Sequence, residues 1–145
     1  MGDSLGPHLA QTSIPYRTIY LDPCLLEDKG EFERILVHEI FHFAWVRLGN
    51  PLRREWEALL AKEFRTRVRG ELGWSAEWRK EKLTLRDVRD RTPPWRRYIC
   101  ESFCDTGARV YSGLQKHDEF TLPARAVKTR SAWMAQNLAT FGVRL

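Results

Sequence analysis

The five residues 38–42, His-Glu-Ile-Phe-His, constrain the fold of this chain more than any other stretch. They are flanked by Ile-Leu-Val before and Phe-Ala-Trp after, and no proline interrupts residues 35–46. An apolar run of this length without a breaker predicts a buried α-helix. Residues four apart lie on the same helical face, so His38 and His42 point the same way with Glu39 beside them.

Two imidazoles one helical turn apart can bind one metal ion, and this spacing with an intervening glutamate is typical of a zinc site. The glutamate is then placed to take a proton from a metal-bound water, which indicates a hydrolase. The alternative is a core helix with two hydrogen-bonded histidines. That alternative leaves the Glu39 carboxylate buried beside them without a partner, which is costly.

A catalytic zinc usually takes three protein ligands, so a third donor is needed. On a later predicted helix, Glu101 and Asp105 lie one turn apart and share a face. Cys104 is a rival donor, because thiolates bind zinc well, although a small buried cysteine packed between helices is its other interpretation. Glu101 and Asp105 can also be interpreted as a solvated acidic stripe that pairs with Arg97 or Arg109.

Five positions resemble the gluzincin zinc metallopeptidases, whose pattern is H-E-x-x-H followed on a later helix by E-x-x-x-D. The matching residues are His38, Glu39, His42, Glu101 and Asp105. The resemblance implies that both histidines and Glu101 bind Zn2+, that Glu39 is the general base, and that Asp105 holds one metal-bound imidazole in position. It also implies a small zincin-like domain, similar in size to the minimal single-domain gluzincins.

The activity that the resemblance implies is cleavage of peptide bonds by a zinc-bound water that Glu39 activates. The expected substrate is a peptide or protein, bound in extended form along an edge strand. A further donor for the oxyanion is expected, with Tyr111 as the candidate and Tyr98, His117 and Arg109 as alternatives. Where thermolysin-like members carry asparagine before the ligand glutamate, this chain has Cys100.

The predicted fold class is α+β and mostly helical, with a short N-terminal sheet or edge strand and an active-site helix backed by further helices. The first dozen residues are predicted to be loop, and Asp28 is predicted to cap the active-site helix. Residues 70–93 are predicted to form one or two short helices or a hairpin-like excursion. The remaining predictions are a strand at 17–21 and helices at 30–48, 53–68, 95–111 and 124–140.

The chain of 145 residues is predicted to form one domain, spanning residues 1–145. Its N-terminus shows no basic and apolar signal pattern, and no apolar run reaches membrane-spanning length. Three cysteines, Cys24, Cys100 and Cys104, are too few and too uneven for a disulfide framework. We therefore expect a cytoplasmic protein without a membrane partner.

The net charge of +5 is concentrated in residues 53–97, which hold fourteen Lys or Arg against eight Asp or Glu. Tryptophans are interleaved with these basic residues, so one interpretation is a nucleic-acid surface on which bases stack. The favoured interpretation is a solvated helical face with the tryptophan rings packed inward. Two other function classes therefore remain open. They are a non-catalytic structural or sensing zinc protein, and a basic nucleic-acid-associated module with a protease site.

Overall fold

The computed structural model describes residues 10–141, with side chains described through residue 138. The predicted α+β, mostly helical fold is confirmed within this range. None of the helices found there is both long and apolar enough to cross a bilayer. The elements in chain order are β1 (Ala10–Ser13), β2 (Thr18–Leu21), a 3₁₀ helix (Pro23–Glu27), α1 (Lys29–Arg47), α2 (Asn50–Arg65), α3 (Trp74–Glu81), α4 (Leu85–Asp90), α5 (Pro93–Tyr111) and α6 (Ala124–Phe141).

The two strands form an antiparallel hairpin in which Ala10 lies opposite Leu21 and Ser13 opposite Thr18. The predicted strand at 17–21 is confirmed as β2. The predicted loop over the first dozen residues is wrong from residue 10 onward, and residues 1–9 lie outside the described range. The sequence of β1 has weak strand propensity, and it is ordered by pairing with β2 and by packing on α1.

Helices α1 and α5 pack against each other more extensively than any other pair of elements described. The predicted cap of α1 is confirmed, because the Asp28 carboxylate accepts a hydrogen bond from the Glu31 backbone N–H at 3.1 Å. The two helices approach closely at Gly107. A Cβ there would lie 2.2–2.6 Å from ring carbons of Phe41, so a larger residue cannot fit without moving a helix.

Some helix boundaries differ from the sequence predictions, since α2 ends at Arg65 rather than 68 and α5 begins at Pro93 rather than 95. Helix α2 begins at Asn50 rather than 53, because Pro51 lies in its first turn, where a missing N–H costs no helical hydrogen bond. Gly49 permits the turn before it by adopting φ 81°. Residues 70–93 form two short helices, and Thr84 with Asp87 makes a reciprocal capping box at the start of α4.

Two of the four tryptophans of the basic segment are part of the core. Trp56 and Trp95 are fully buried, which confirms the inward-packed interpretation for these two. Trp78 is partly covered, with the Arg79 guanidinium 4.4 Å from its ring centroid. Trp74 is the most exposed of the four, at 48%.

A buried charge cluster that the sequence analysis did not predict joins α2, α5 and α6. The fully buried guanidinium of Arg130 donates to Glu63 at 2.6 and 3.0 Å and to Glu71 at 2.8 Å from each of two nitrogens. Its hydroxyl partners on α5 are Ser102 and Thr106. We call these five residues the Arg130 cluster.

Glu71 is the most strongly held carboxylate of the Arg130 cluster. Burial raises its pKa, but the charge and hydrogen bonds of Arg130 outweigh this effect and lower the pKa to about 2. The hydroxyl of Tyr98 also donates to Glu71, and Lys80 lies 3.5 Å away. The loop between α2 and α3 is thereby fixed to the core.

Candidate metal centre

The structure brings His38 and His42 of α1 together with Glu101 of α5. The Nε2 atom of His42 lies 3.3 Å from Oε2 of Glu101, and the Nε2 atom of His38 lies 3.7 Å from the same oxygen. The two imidazole rings are nearly perpendicular, with centroids 5.2 Å apart. Adding Asp105, we call these four residues the His–Glu centre.

The three converging atoms have the spacing of metal ligands. Tetrahedral zinc with ligand distances of about 2.0–2.1 Å holds neighbouring donor atoms about 3.4 Å apart. The Oε2 atom of Glu101 is buried and has no hydrogen-bond partner in the described part of the chain. A buried carboxylate oxygen that faces two imidazole nitrogens but accepts no hydrogen bond is the environment that a cation completes. The residues therefore fit a zinc ion.

The outward nitrogen of each ring meets a side chain of α5. His38 Nδ1 lies 2.7 Å from Oδ1 of Asp105, and His42 Nδ1 lies 3.9 Å from Sγ of Cys100. An acceptor on Nδ1 fixes which nitrogen carries the proton and directs Nε2 toward the space beside Glu101. Both rings are thus oriented from the same helix that supplies the carboxylate.

The charges of the His–Glu centre shift each other's ionisation. Burial lowers the pKa of His38, but the neighbouring Asp105 carboxylate outweighs it and raises the pKa to about 10. Burial raises the pKa of Glu101, and the two imidazoles outweigh it and lower that pKa. In the metal-free protein, His38 therefore carries the positive charge that a bound cation would replace.

Helix α3 supports the two carboxylates from behind. Ser75 Oγ donates to Oε1 of Glu101 at 2.9 Å, and the Ala76 backbone N–H donates to Oδ2 of Asp105 at 3.1 Å. The absence of a side chain at Gly73 makes room for Asp105, whose carboxylate atoms would lie 2.3–2.5 Å from a Cβ there. Both carboxylates are held in fixed orientations.

Glu39 is positioned by the hairpin. The hydroxyl of Thr12 in β1 is within hydrogen-bond distance of the Glu39 carboxylate oxygen Oε2 and of its backbone carbonyl. Both residues are buried. The other carboxylate oxygen, Oε1, receives no hydrogen bond from a described residue. One oxygen is thus anchored and the other remains able to accept a proton.

The acidic-stripe interpretation is wrong for this pair, because Glu101 is 7% and Asp105 2% exposed. The rival donor Cys104 is fully buried and close enough to join the ligand atoms. One ligand atom from each of His38, His42, Glu101 and Cys104 can be chosen so that all four lie within 4.8 Å of one another. Cys104 therefore stays open as a fourth ligand.

The candidate oxyanion donors do not gather at the His–Glu centre. Tyr111 lies at the end of α5, about half exposed, with its ring stacked on Phe41 at 5.7 Å between centroids. The Tyr98 hydroxyl is bound to Glu71. Arg109 lies over the Phe120 ring at 5.7 Å. The role of Tyr111 stays a prediction.

A second group of possible ligands, Glu31, His117 and Glu119, lies near the start of α1. His117 Nε2 is 2.7 Å from Oε2 of Glu31, so this alternative oxyanion donor is already engaged. The buried guanidinium of Arg34 contacts both glutamates. Since an arginine already supplies the positive charge, this group needs no metal.

The sequence analysis did not identify the supporting residues Thr12, Ser75 and Cys100. Their partners are 26 to 58 positions away along the chain, and no local spacing pattern connects them. Cys100 carried a weak signal, since it replaces the asparagine of thermolysin-like enzymes next to Glu101.

No protein-family model, curated protein or solved structure matches this chain at a significant level. The interpretation of the His–Glu centre therefore rests on the residues and their geometry alone.

Proposed function

We propose that this protein is a zinc metallopeptidase of the gluzincin type. The observation that supports the proposal most strongly is the buried Oε2 atom of Glu101, which lacks a hydrogen bond and lies 3.3 and 3.7 Å from two histidine nitrogens. Structural core histidines normally satisfy such an oxygen with a direct hydrogen bond. Here the arrangement is better explained by a cation held among the three side chains.

In this proposal His38, His42 and Glu101 hold the zinc ion. When bound, zinc supplies Lewis acidity, which makes a nearby water a stronger acid and polarises a peptide carbonyl. Asp105 and Cys100 contact the Nδ1 atoms of the two imidazoles, which directs each Nε2 atom toward the zinc ion and fixes the rotation of each ring. Ser75 keeps the Glu101 carboxylate from turning away.

Glu39 acts as the general base. Its Oε1 atom takes the proton of the attacking water and delivers it to the leaving amine, while Thr12 holds Oε2. Because Thr12 belongs to β1, the hairpin that positions the base also lies next to the reaction site. An extended peptide that added to this hairpin would pass close to Glu39.

The cytoplasm is the proposed location. The described range contains three free cysteines, and two of them, Cys100 and Cys104, lie at or beside the His–Glu centre. Thiols in that position persist in a reducing compartment.

The test measures both the zinc content and the peptidase activity of the purified protein. Protein purified without chelators should carry about one zinc per chain by mass spectrometry, and His38→Ala, His42→Ala and Glu101→Ala should each lose it. Glu39→Gln should keep the zinc but cleave a quenched fluorescent peptide library orders of magnitude more slowly. Wild-type protein that neither contains nor takes up zinc would contradict the proposal. So would cleavage by Glu39→Gln at the wild-type rate.

The placement of Cys104 favours a second candidate, a closed structural zinc site with four protein ligands. Such a site leaves no position for water and stabilises the fold without catalysis. X-ray absorption of the zinc-loaded protein separates the two candidates, because a sulfur ligand gives a bond of about 2.3 Å and nitrogen or oxygen about 2.0–2.2 Å. A sulfur contribution that disappears in Cys104→Ser, with no peptidase activity in the wild type, would support the closed site.

A further inference from the structure

A cluster of basic side chains lies where α2 ends and α6 begins, on elements other than those that supply the His–Glu centre. Two grooves, of about 630 and 610 Å3, flank the chain after α2 and share Arg67, Val68 and Arg69 in their linings. Lys62, Arg65, Arg67, Arg69 and Arg125 line one groove or both, and all five are exposed. We call these five residues the basic surface.

The side chains of the basic surface donate no hydrogen bond to, and form no ion pair with, any residue in the described range. Two exposed arginines elsewhere, Arg86 and Arg89, differ because both pair with Asp90. Two acidic residues in the groove linings are engaged elsewhere, because Glu63 binds Arg130 and Glu77 accepts from Thr121. A third, Glu81, is exposed. The basic surface therefore carries positive charge that the surrounding protein largely leaves uncompensated.

The side chains of the basic surface favour phosphate as the complementary group. Four of the five are arginines, whose planar fork matches two phosphate oxygens at once. Successive phosphates of a nucleic acid can follow grooves on both sides of the ridge formed by residues 67–69. An anionic membrane is less suitable, since membrane-binding surfaces combine charge with several exposed apolar side chains. Leu85 is the one large exposed apolar residue lining these grooves.

The positions of the tryptophans bear on which form of nucleic acid the basic surface could bind. Trp56 and Trp95 are fully buried, and neither they nor Trp74 and Trp78 line the grooves. The aromatic side chain that lines one groove, Phe64, is partly buried and packs against Trp95 at 6.2 Å between ring centroids, so it belongs to the core rather than to a surface on which bases could stack. We propose that the basic surface binds the phosphate backbone of double-stranded nucleic acid, independently of base sequence and of the metal centre.

The chain offers a matched pair of variants for the test. Arg67, two residues after the end of α2, has the left-handed conformation with φ 61°, and the exposed Arg17 adopts the same region in the hairpin turn, with φ 50°. Glycine suits this conformation better than arginine. Arg67→Gly and Arg17→Gly therefore each remove one charge and relieve the same backbone strain, but only the first lies in the basic surface.

Binding is measured by fluorescence anisotropy with a labelled random-sequence DNA duplex of about 20 base pairs, between about 50 and 200 mM NaCl. The wild type should bind with an affinity that falls steeply with salt. Arg67→Gly should weaken binding about 3- to 10-fold and reduce the slope of log K against log salt by about 1. Arg17→Gly should bind like the wild type, and circular dichroism should show both variants folded.

Several outcomes would overturn the proposal. They are absence of duplex binding at about 50 mM NaCl, equal weakening by Arg17→Gly and Arg67→Gly, and binding that Arg67→Glu with Arg125→Glu leaves unchanged. Tighter binding to a single strand than to the duplex would contradict the backbone mode. Preference for vesicles of phosphatidylcholine and phosphatidylserine over DNA would identify a membrane surface instead.

Discussion

The Arg130 cluster and the His–Glu centre both bury two carboxylates, and both use side chains of α5. In the Arg130 cluster, all four carboxylate oxygens of Glu63 and Glu71 accept hydrogen bonds from described residues. In the His–Glu centre, three of the four do, and Oε2 of Glu101 does not. The first cluster contains its own cation in contact with both carboxylates. In the second, the Arg79 guanidinium lies 3.8 Å from Oε1 of Glu101, and Oε2 faces the two imidazoles.

This difference separates a structural use of buried charge from a functional one. Arg130 is fully enclosed, so removing it leaves two carboxylates uncompensated. The imidazoles of His38 and His42 can exchange a proton for a metal, because neutral imidazole is a ligand and imidazolium is not. Comparable burial therefore gives different responses to mutation, acid and zinc.

The largest expected effect comes from removing the resident cation. Arg130→Met keeps much of the side-chain length but should lower the free energy of unfolding by about 3–5 kcal/mol, since Glu63 and Glu71 lose their charge partner. Arg125→Met, an exposed position on the same helix, should change it by less than about 0.5 kcal/mol. Urea denaturation followed by circular dichroism measures both. If Arg130→Met lowers the free energy of unfolding by less than about 1 kcal/mol, the Arg130 cluster does not stabilise the fold as expected.

Acid should weaken the Arg130 cluster over a defined range. Because the pKa of Glu71 is lowered from 4.5 to about 2 on folding, its contribution is present above pH 4.5 and is lost as the pH falls toward 2. The loss should be about 3 kcal/mol for the zinc-free protein. Glu71→Gln has no carboxylate to protonate, so its unfolding free energy should depend less on pH in this range. Parallel pH profiles for the two proteins would contradict the assignment.

Zinc should stabilise the protein through the His–Glu centre alone. At about 100 times its dissociation constant, zinc should raise the free energy of unfolding of the wild type by about 2.7 kcal/mol. Without zinc, Glu101→Gln should be less stable than the wild type, because His38 and Arg79 lose the charge of the Glu101 carboxylate. It should gain much less from added zinc. An equal zinc effect in the two proteins would show that Glu101 is not a ligand.

The smallest expected effect is on zinc affinity and comes from Asp105, whose carboxylate contacts Nδ1 of His38. Asp105→Asn should weaken zinc affinity by about 10- to 100-fold, because the His38 ring loses the charged acceptor on Nδ1. Competition against a chelator of known affinity measures the change. Asp90→Asn, which alters an exposed carboxylate paired with Arg89, is the matched control and should leave the affinity unchanged. Identical affinities in all three proteins would leave Asp105 with a structural role.

The parts of this fold that follow periodic patterns could be predicted from the sequence. The spacing of His38 and His42 and the cap at Asp28 are patterns within one segment of the chain. They were sufficient to predict α1. Glu101 and Asp105 could be paired with the histidines because zinc chemistry asks for a third donor. Their spatial proximity was an inference from chemistry rather than from any pattern in the chain.

The remaining features depend on contacts between distant segments. The Arg130 cluster joins residues up to 67 positions apart, and a lone arginine in a helix pattern gives no sign that it is buried. Strand β1 is a strand because β2 and α1 are next to it. Thr12 reaches Glu39 for the same reason. Such features depend on the assembled fold, and the propensities of single segments cannot predict them.

The glycine at position 107 has a consequence for the choice of metal. With no side chain there, the distance between α1 and α5 is set by the thickness of the Phe41 ring. Glu101 lies six residues away, about 9 Å along the helix axis. A larger side chain at position 107 would therefore increase the separation of α1 and α5 at Glu101. The distances from the two histidine nitrogens on α1 to the Glu101 oxygen on α5 would increase. Larger cations would then be favoured. In the proposed zinc site, discrimination by ionic radius would therefore depend on a residue that contributes no ligand.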